Sequence, residues 1–145
     1  LKYNRAHHIA PLLATRAAHV MQRVHVPFDM LIPVPLAQSR LRERGYNQSQ
    51  VIGSHMAEIM HIPLVVSSLS RTRSTASQVG LSVVQRRQNV HDAFRTESQS
   101  LDGRIVLLLD DVLTSGATMQ ACAAALYQAG ARQVIGVAIT GAQQT

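Results

Sequence analysis

Residues Ile105 to Thr118 read IVLLLDDVLTSGAT, and this stretch decides the fold. Five consecutive aliphatic residues with no polar alternation suit a strand buried on both faces, as in a parallel sheet covered by helices. The run ends in two adjacent carboxylates, Asp110 and Asp111. They fall at the carboxyl end of the strand, where open α/β sheets gather their ligands. Thr114, Ser115, Gly116, Ala117 and Thr118 follow as a loop of small and hydroxyl residues, which lets a phosphate approach the backbone N–H groups closely. A helix expected from near Thr118 adds its positive end. Two acids beside an anion cradle would repel phosphate, so they need a different partner. The hydroxyls of a sugar joined to that phosphate suit them, as does a divalent cation. Together these parts predict a site for a phosphorylated sugar. The plainer reading is a buried strand ending in an acidic turn before a helix cap.

Working outward, strands and helices alternate. Apolar positions at helical spacing between Ala6 and Arg23, including Ile9, Leu12, Leu13, Ala17 and Val20, predict an amphipathic helix. Met30 to Val34 reads as a short strand broken by Pro33 and Pro35, Gln48 to Met60 as a second helix, and Leu64 to Val66 as another short strand. From Ser67 to Ser82 the chain turns polar and loses periodicity, and a helical piece is expected over Val83 to Asn89. Thr118 to Gln128 follows the central strand as its helix, Gly130 is the expected C-cap, and Val134 to Ile139 closes as a strand. The alternation implies a single α/β domain over residues 1–145, with a mainly parallel sheet flanked by helices.

Composition narrows the function classes. With 46% hydrophobic and 15% charged residues in 145, the chain suits one packed core. No window approaches the ~18 uninterrupted apolar residues of a membrane span, and no signal core opens the chain. The single cysteine, Cys122, rules out a disulfide within the chain, so a cytoplasmic location is expected. Lys and Arg number 14 against 8 Asp and Glu, and all but Lys2 of the 14 are arginine. Arginine forks pair with phosphates at two points, which fits phosphorylated ligands or nucleic acid; charge alone does not separate the two. Five aromatic residues, Tyr3, Phe28, Tyr46, Phe94 and Tyr127, are too few for a broad base-stacking platform. The seven histidines show no convincing ligand spacing beside a carboxylate, so no direct metal ligand is expected.

The pattern of an apolar strand, two acids, two apolar residues and a Thr/Ser-Gly-x-Thr loop resembles the binding motif of the type I phosphoribosyltransferases. That resemblance implies that Thr114, Ser115, Gly116, Ala117 and Thr118 hold the 5′-phosphate of phosphoribosyl pyrophosphate, while Asp110 and Asp111 face the ribose hydroxyls. A second segment, IPVPLAQSRLRERGYNQS over Ile32 to Ser49, has a strand ending in Pro-Val-Pro and a loop leading to Arg40, Arg42 and Arg44. In such transferases a loop after an early strand binds the pyrophosphate. By the same resemblance Leu36, Ala37, Gln38 and Ser39 take that place, with Arg40 or Arg44 neutralising its charge. A proline-stiffened turn before a solvated basic helix explains the segment equally well.

The resemblance then narrows to the ComF family, a branch of the type I phosphoribosyltransferases that includes GntX-like proteins. Pro-Val-Pro-Leu, Arg40 and Arg44-Gly45-Tyr46-Asn47-Gln48 match its pattern, as do Thr75, Gln78, Leu81, Arg86, Asn89 and Phe94. Many members carry a four-cysteine zinc ribbon before this domain. This chain has none and starts at Leu1, which suggests a trimmed form and leaves zinc unsupported. The polar stretch over about 67–82 reads as a flexible lid over the donor, with Arg71 or Arg73 reaching the departing pyrophosphate. The family implies binding of phosphoribosyl pyrophosphate with magnesium carried through the pyrophosphate, and a link to DNA uptake and natural transformation. The alternative is a donor-sensing module that performs no transfer and meets single-stranded DNA or an uptake-machinery protein.

Overall fold

Along the chain the elements run α1 (Lys2–Gln22), β1 (Met30–Pro33), α2 (Gln38–Arg44), α3 (Gln48–Met60), β2 (Leu69–Arg71) and β3 (Phe94–Thr96). They continue as β4 (Ile105–Leu113), α4 (Ala117–Gln128) and β5 (Gln133–Gly141). The structure is a computed structural model that describes residues 2–71, 80, 82–85, 93–96 and 101–141. Residues 83–85 are helical, as expected there, and the rest of that expected helix lies outside the described residues.

β4 is the central strand. It pairs in parallel with β1 on one side, Leu31 opposite Leu107, and with β5 on the other, Leu107 opposite Ile135. A single parallel bridge, Leu31 to Leu64, adds a fourth chain segment at the β1 edge, where a short strand was expected over 64–66. The aliphatic run divides between the two faces as a pleated strand must. Val106 and Leu108 pack with Ile32, Cys122 and Leu126 under α4. Leu107 and Leu109 pack with Leu31, Ile52 and Met56 under α1 and α3. Both sides are therefore covered, which is why the run contains no polar residue. The start of β4 is fixed by Asp29, whose backbone N–H donates to the Ile105 carbonyl and whose carboxylate accepts from the Ile105 N–H, each at 2.8 Å.

α1 buries a different stripe from the one that its bulky residues suggest. Ala10, Ala14, Ala18 and Met21 face the core, whereas Ile9, Leu12 and Val20 are 50%, 53% and 59% exposed. Small side chains let α1 lie close against its neighbours, so alanines take the inner face.

The polar stretch from Ser67 is not wholly irregular. Leu69–Arg71 is β2, paired antiparallel with β3 so that Arg71 stands opposite Phe94. This two-stranded ribbon stands apart from the main sheet, and Leu69 and Phe94 anchor it to the α4-side core. Residues 72–79, Arg73 among them, lie outside the described residues.

Candidate functional site

β4 runs on past its aliphatic core to Leu113, so Asp110 and Asp111 are strand residues at its carboxyl end. Asp110 pairs with Ala138 and Val112 with Thr140 of β5, and the Thr140 hydroxyl donates to the Asp111 carbonyl at 3.3 Å. Each carboxylate turns back on the amide that follows it. Asp110 Oδ1 accepts from the Asp111 N–H at 2.8 Å, and Asp111 Oδ1 accepts from the Val112 N–H at 3.0 Å.

The two acids nonetheless differ in setting. Burial pushes the Asp110 carboxyl up to about 7, and its hydrogen bond and charge interaction with Asp111 push the same way. The Asp111 amide and a hydrogen bond with the Ser49 side chain work against that rise. Ser49 is buried and sits in the first turn of α3.

A cavity of about 320 Å³ opens in front of this pair. It gathers residues from distant parts of the chain. Asp110, Asp111, Thr114 and Thr118 come from the end of β4 and the loop beyond, and Leu36, Ala37, Ser39, Arg40 and Arg44 from the segment after β1. Arg71 comes from β2. Of the loop residues read as a phosphate cradle, Ser115, Gly116 and Ala117 do not line the cavity, and neither does Gln38 of the pyrophosphate segment. Ala117 is buried beneath the loop, and the Ser115 hydroxyl accepts from its N–H at 3.3 Å. Gly116 holds φ 81°, a left-handed value that turns the chain into α4.

Gln38 and Ser39 were expected in a loop but begin α2, a seven-residue helix. The helical spacing has a consequence: Arg40 and Arg44, four residues apart, share the face turned to the cavity. Arg44 also donates to Gln48 Oε1 at 2.7 Å, which restrains it. Gly45, with φ 85°, closes the helix and lets the chain turn directly into α3. Arg71 lies 5.3 Å from the centre of the Phe94 ring. Its charged form is disfavoured first by burial and then by Arg40, while Cys122 and Asp110 act in the opposite sense. The cavity thus sets three guanidiniums against two carboxylates.

Asn47, Gln48 and Ser49 also line the cavity, though of the three only Asn47 and Gln48 fall within the matched ComF pattern. An asparagine just ahead of an apolar helical repeat is an N-cap signal, and Asn47 does cap α3 by accepting from the Ser49 N–H. Val34, Pro35 and Val112 complete the wall as apolar surface. Among the described residues no group of three or more His, Cys, Asp or Glu side chains is placed to hold a metal. No described helix is long and apolar enough to cross a membrane.

Residues 14–144 match the Phosphoribosyl transferase domain family. The chain belongs to that family. As a phosphoribosyl transferase domain it is 35% identical over 139 residues to the DNA utilization protein YhgH of Escherichia coli O157:H7, covering 92% of this chain and 61% of that protein. It is 33% identical over 124 residues to Competence protein F of Haemophilus influenzae, covering 84% of this chain and 54% of that one. These relatives match the ComF resemblance read from Arg40, Arg44 and the block around Phe94. The domain spans only 61% and 54% of the lengths of these two relatives. Among solved structures, glutamine phosphoribosylpyrophosphate amidotransferase from B. subtilis superimposes with a TM-score of 0.58 at 21% identity, covering 94% of this chain and 26% of that one. Adenine phosphoribosyltransferase does so at 0.56 and 12% identity, covering 91% and 68%. At such identities the likeness is one of fold, and it matches the α/β domain with a parallel sheet expected from the sequence.

Proposed function

We propose that this domain binds phosphoribosyl pyrophosphate together with magnesium and serves in DNA uptake. The convergence of Asp110, Asp111, Thr118, Arg40 and Arg44 on one cavity carries the reading, because each chemical part of that ligand then has a counterpart. Thr114 and Thr118 offer hydroxyls to the 5′-phosphate at the start of α4. Asp110 and Asp111 accept from the ribose hydroxyls. Arg40, Arg44 and Arg71 face the pyrophosphate and favour the charge that grows on it as it leaves the anomeric carbon.

The donor set fits magnesium that arrives with its substrate. One or two carboxylates next to phosphate oxygens is the usual arrangement for that ion, and the described residues supply no closed protein cage. Bound there, magnesium would offset the charge of the pyrophosphate oxygens. The role in DNA uptake rests on the names of the relatives, DNA utilization protein and Competence protein F. A second reading is a module that binds the donor as a signal and performs no transfer.

Calorimetry with phosphoribosyl pyrophosphate and magnesium tests the site, using wild type and the double variant Asp110→Asn/Asp111→Asn. Loss of affinity in the variant is expected, and equal affinity would remove the assignment. Incubation of labelled donor with a nucleobase mixture separates the two readings by whether magnesium-dependent nucleotide forms.

A further inference from the structure

The face of α1 opposite its alanines carries a ridge of bulky side chains. Arg5, Ile9, Leu12, Arg16 and Val20 recur along it at intervals of three or four residues, and Arg23 extends it into the turn after the helix. All six are exposed. From Arg5 to Arg23 is 18 residues, about five turns, so the line runs straight for about 27 Å. Single exposed aliphatic residues are ordinary on a protein surface. Three of them in register with three arginines, with the core on the other side of the helix, form a patterned surface.

The charge on this part of the chain is one-sided. No acidic residue precedes Asp29, whereas Lys2, Arg5, Arg16 and Arg23 are cationic, so most of the net charge of +6 resides here. Among the described residues none of Arg5, Arg16 or Arg23 pairs with a carboxylate. Beside the ridge, Arg16, His19, Val20, Gln22, Arg23 and His25 border an open depression of about 700 Å³ with no acidic wall. The ridge shares no residue with the cavity at Asp110.

We propose that this ridge docks an acidic amphipathic helix of a partner protein. Aliphatic side chains of that helix pack beside Leu12 and Val20, and its carboxylates pair with the Arg16 and Arg23 guanidiniums at two points each. Charge complementarity selects this occupant. A second copy of the chain fits poorly, because antiparallel ridges bring Arg5 toward Arg23 with no acid on either side. An anionic membrane surface also fits poorly. Arg16 lies between Leu12 and Val20, so sinking those aliphatics into the lipid drags a guanidinium with them, and no aromatic residue shares the ridge. One helix along one ridge buries less than the roughly 1,200 Å² of the smallest stable interfaces, so a reversible, roughly micromolar contact is expected.

Fluorescence anisotropy tests this with a dye-labelled synthetic peptide about five turns long, leucines at helical spacing on one face and glutamates beside them. Leu12→Gln and Val20→Gln remove aliphatic contact, and Arg16→Glu reverses the central charge. Glutamine and glutamate form helix at least about as well as the residues they replace, so α1 should be retained. Each glutamine variant should weaken binding about fivefold or more, and Arg16→Glu about tenfold or more. Arg132→Gln, which removes an exposed charge elsewhere, should change it by less than about twofold. On the wild-type protein, a peptide with lysine for every glutamate should not bind, and this arm does not depend on any variant folding. No binding of the acidic peptide, equal binding of the lysine peptide, or a loss in Arg132→Gln as large as in Arg16→Glu would each overturn the proposal. So would binding to phosphatidylserine vesicles that Arg16→Glu abolishes, or a dimer in sedimentation that Leu12→Gln breaks. Calorimetry with phosphoribosyl pyrophosphate and magnesium should give unchanged affinity in all three ridge variants, which keeps this test separate from that of the donor site.

Discussion

The Asn47 side chain joins the first turn of α3 to the end of β1, because its Nδ2 donates to the Val34 carbonyl at 3.0 Å. Its other end accepts from the Ser49 N–H at 3.0 Å, so a single amide both caps a helix and spans to the strand. This places Ser49 against Asp110 and Arg44 beside Gln48, on the two sides of one cavity.

Truncating that amide should therefore loosen the site as well as the fold. Asn47→Ala loses the cap, worth about 1 kcal/mol. It also leaves the carbonyl of buried Val34 without its donor, at a further cost of about 1 kcal/mol or more. Asn47→Asp keeps the cap but not the donor, so it should lose roughly half as much. Urea unfolding of the three proteins measures both steps. Equal losses in the two variants would show that the cap contributes nothing.

Asp110 predicts an unusual pH dependence. Its folded carboxyl is raised from 3.8 to about 7, so between those values the folded protein holds a proton that the unfolded chain has released. The contribution to stability is complete below the unfolded value and is lost as pH rises through about 7. Asp110→Asn removes this loss. At pH 8 the variant should be more stable than wild type by about 1 kcal/mol or more, with the difference shrinking toward pH 4. Denaturant midpoints at the two pH values check it, and a wild-type advantage at pH 8 would mean that ionised Asp110 stabilises the fold.

Arg40 and Arg44 line the cavity from α2 and Thr118 lines it from the start of α4, so on the proposed reading their loss should fall on ligands that carry pyrophosphate. Arg40→Ala should weaken phosphoribosyl pyrophosphate about tenfold or more while changing ribose 5-phosphate less than about twofold. Arg44→Ala should do the same with an added stability cost, because it also removes the bond to Gln48. Parallel titrations with both ligands decide it, and equal losses for both would move the arginines off the pyrophosphate.

Much of this was legible in sequence, for physical reasons. The aliphatic run before Asp110 suits a strand covered on both sides, and the small and hydroxyl residues after it suit a turn into a helix. What escaped the reading depended on partners distant in sequence. The inner face of α1 belongs to alanines because close packing against α3 outweighs bulk, so Ile9 and Leu12 pointed to the wrong stripe. β2 has three residues with little periodicity, and its pairing with Phe94 is a contact that local pattern does not encode. Ser49 carries no local mark of its place, since its burial comes from the approach of α3 to Asp110.

Gly116 offers the sharpest test of the loop. Its φ of 81° is strained for any residue with a Cβ, yet a Cβ built there would meet no atom within 4 Å. The penalty of Gly116→Ala should therefore come from the backbone alone, roughly 1–2 kcal/mol. Asparagine tolerates the left-handed region better, so Gly116→Asn should cost clearly less. If the loop holds the 5′-phosphate, affinity for ribose 5-phosphate should fall in the same order, with alanine worse than asparagine. Thermal unfolding and calorimetry on the two variants give the comparison. The larger asparagine side chain costing more than alanine would mean that space, and not backbone angle, governs this turn.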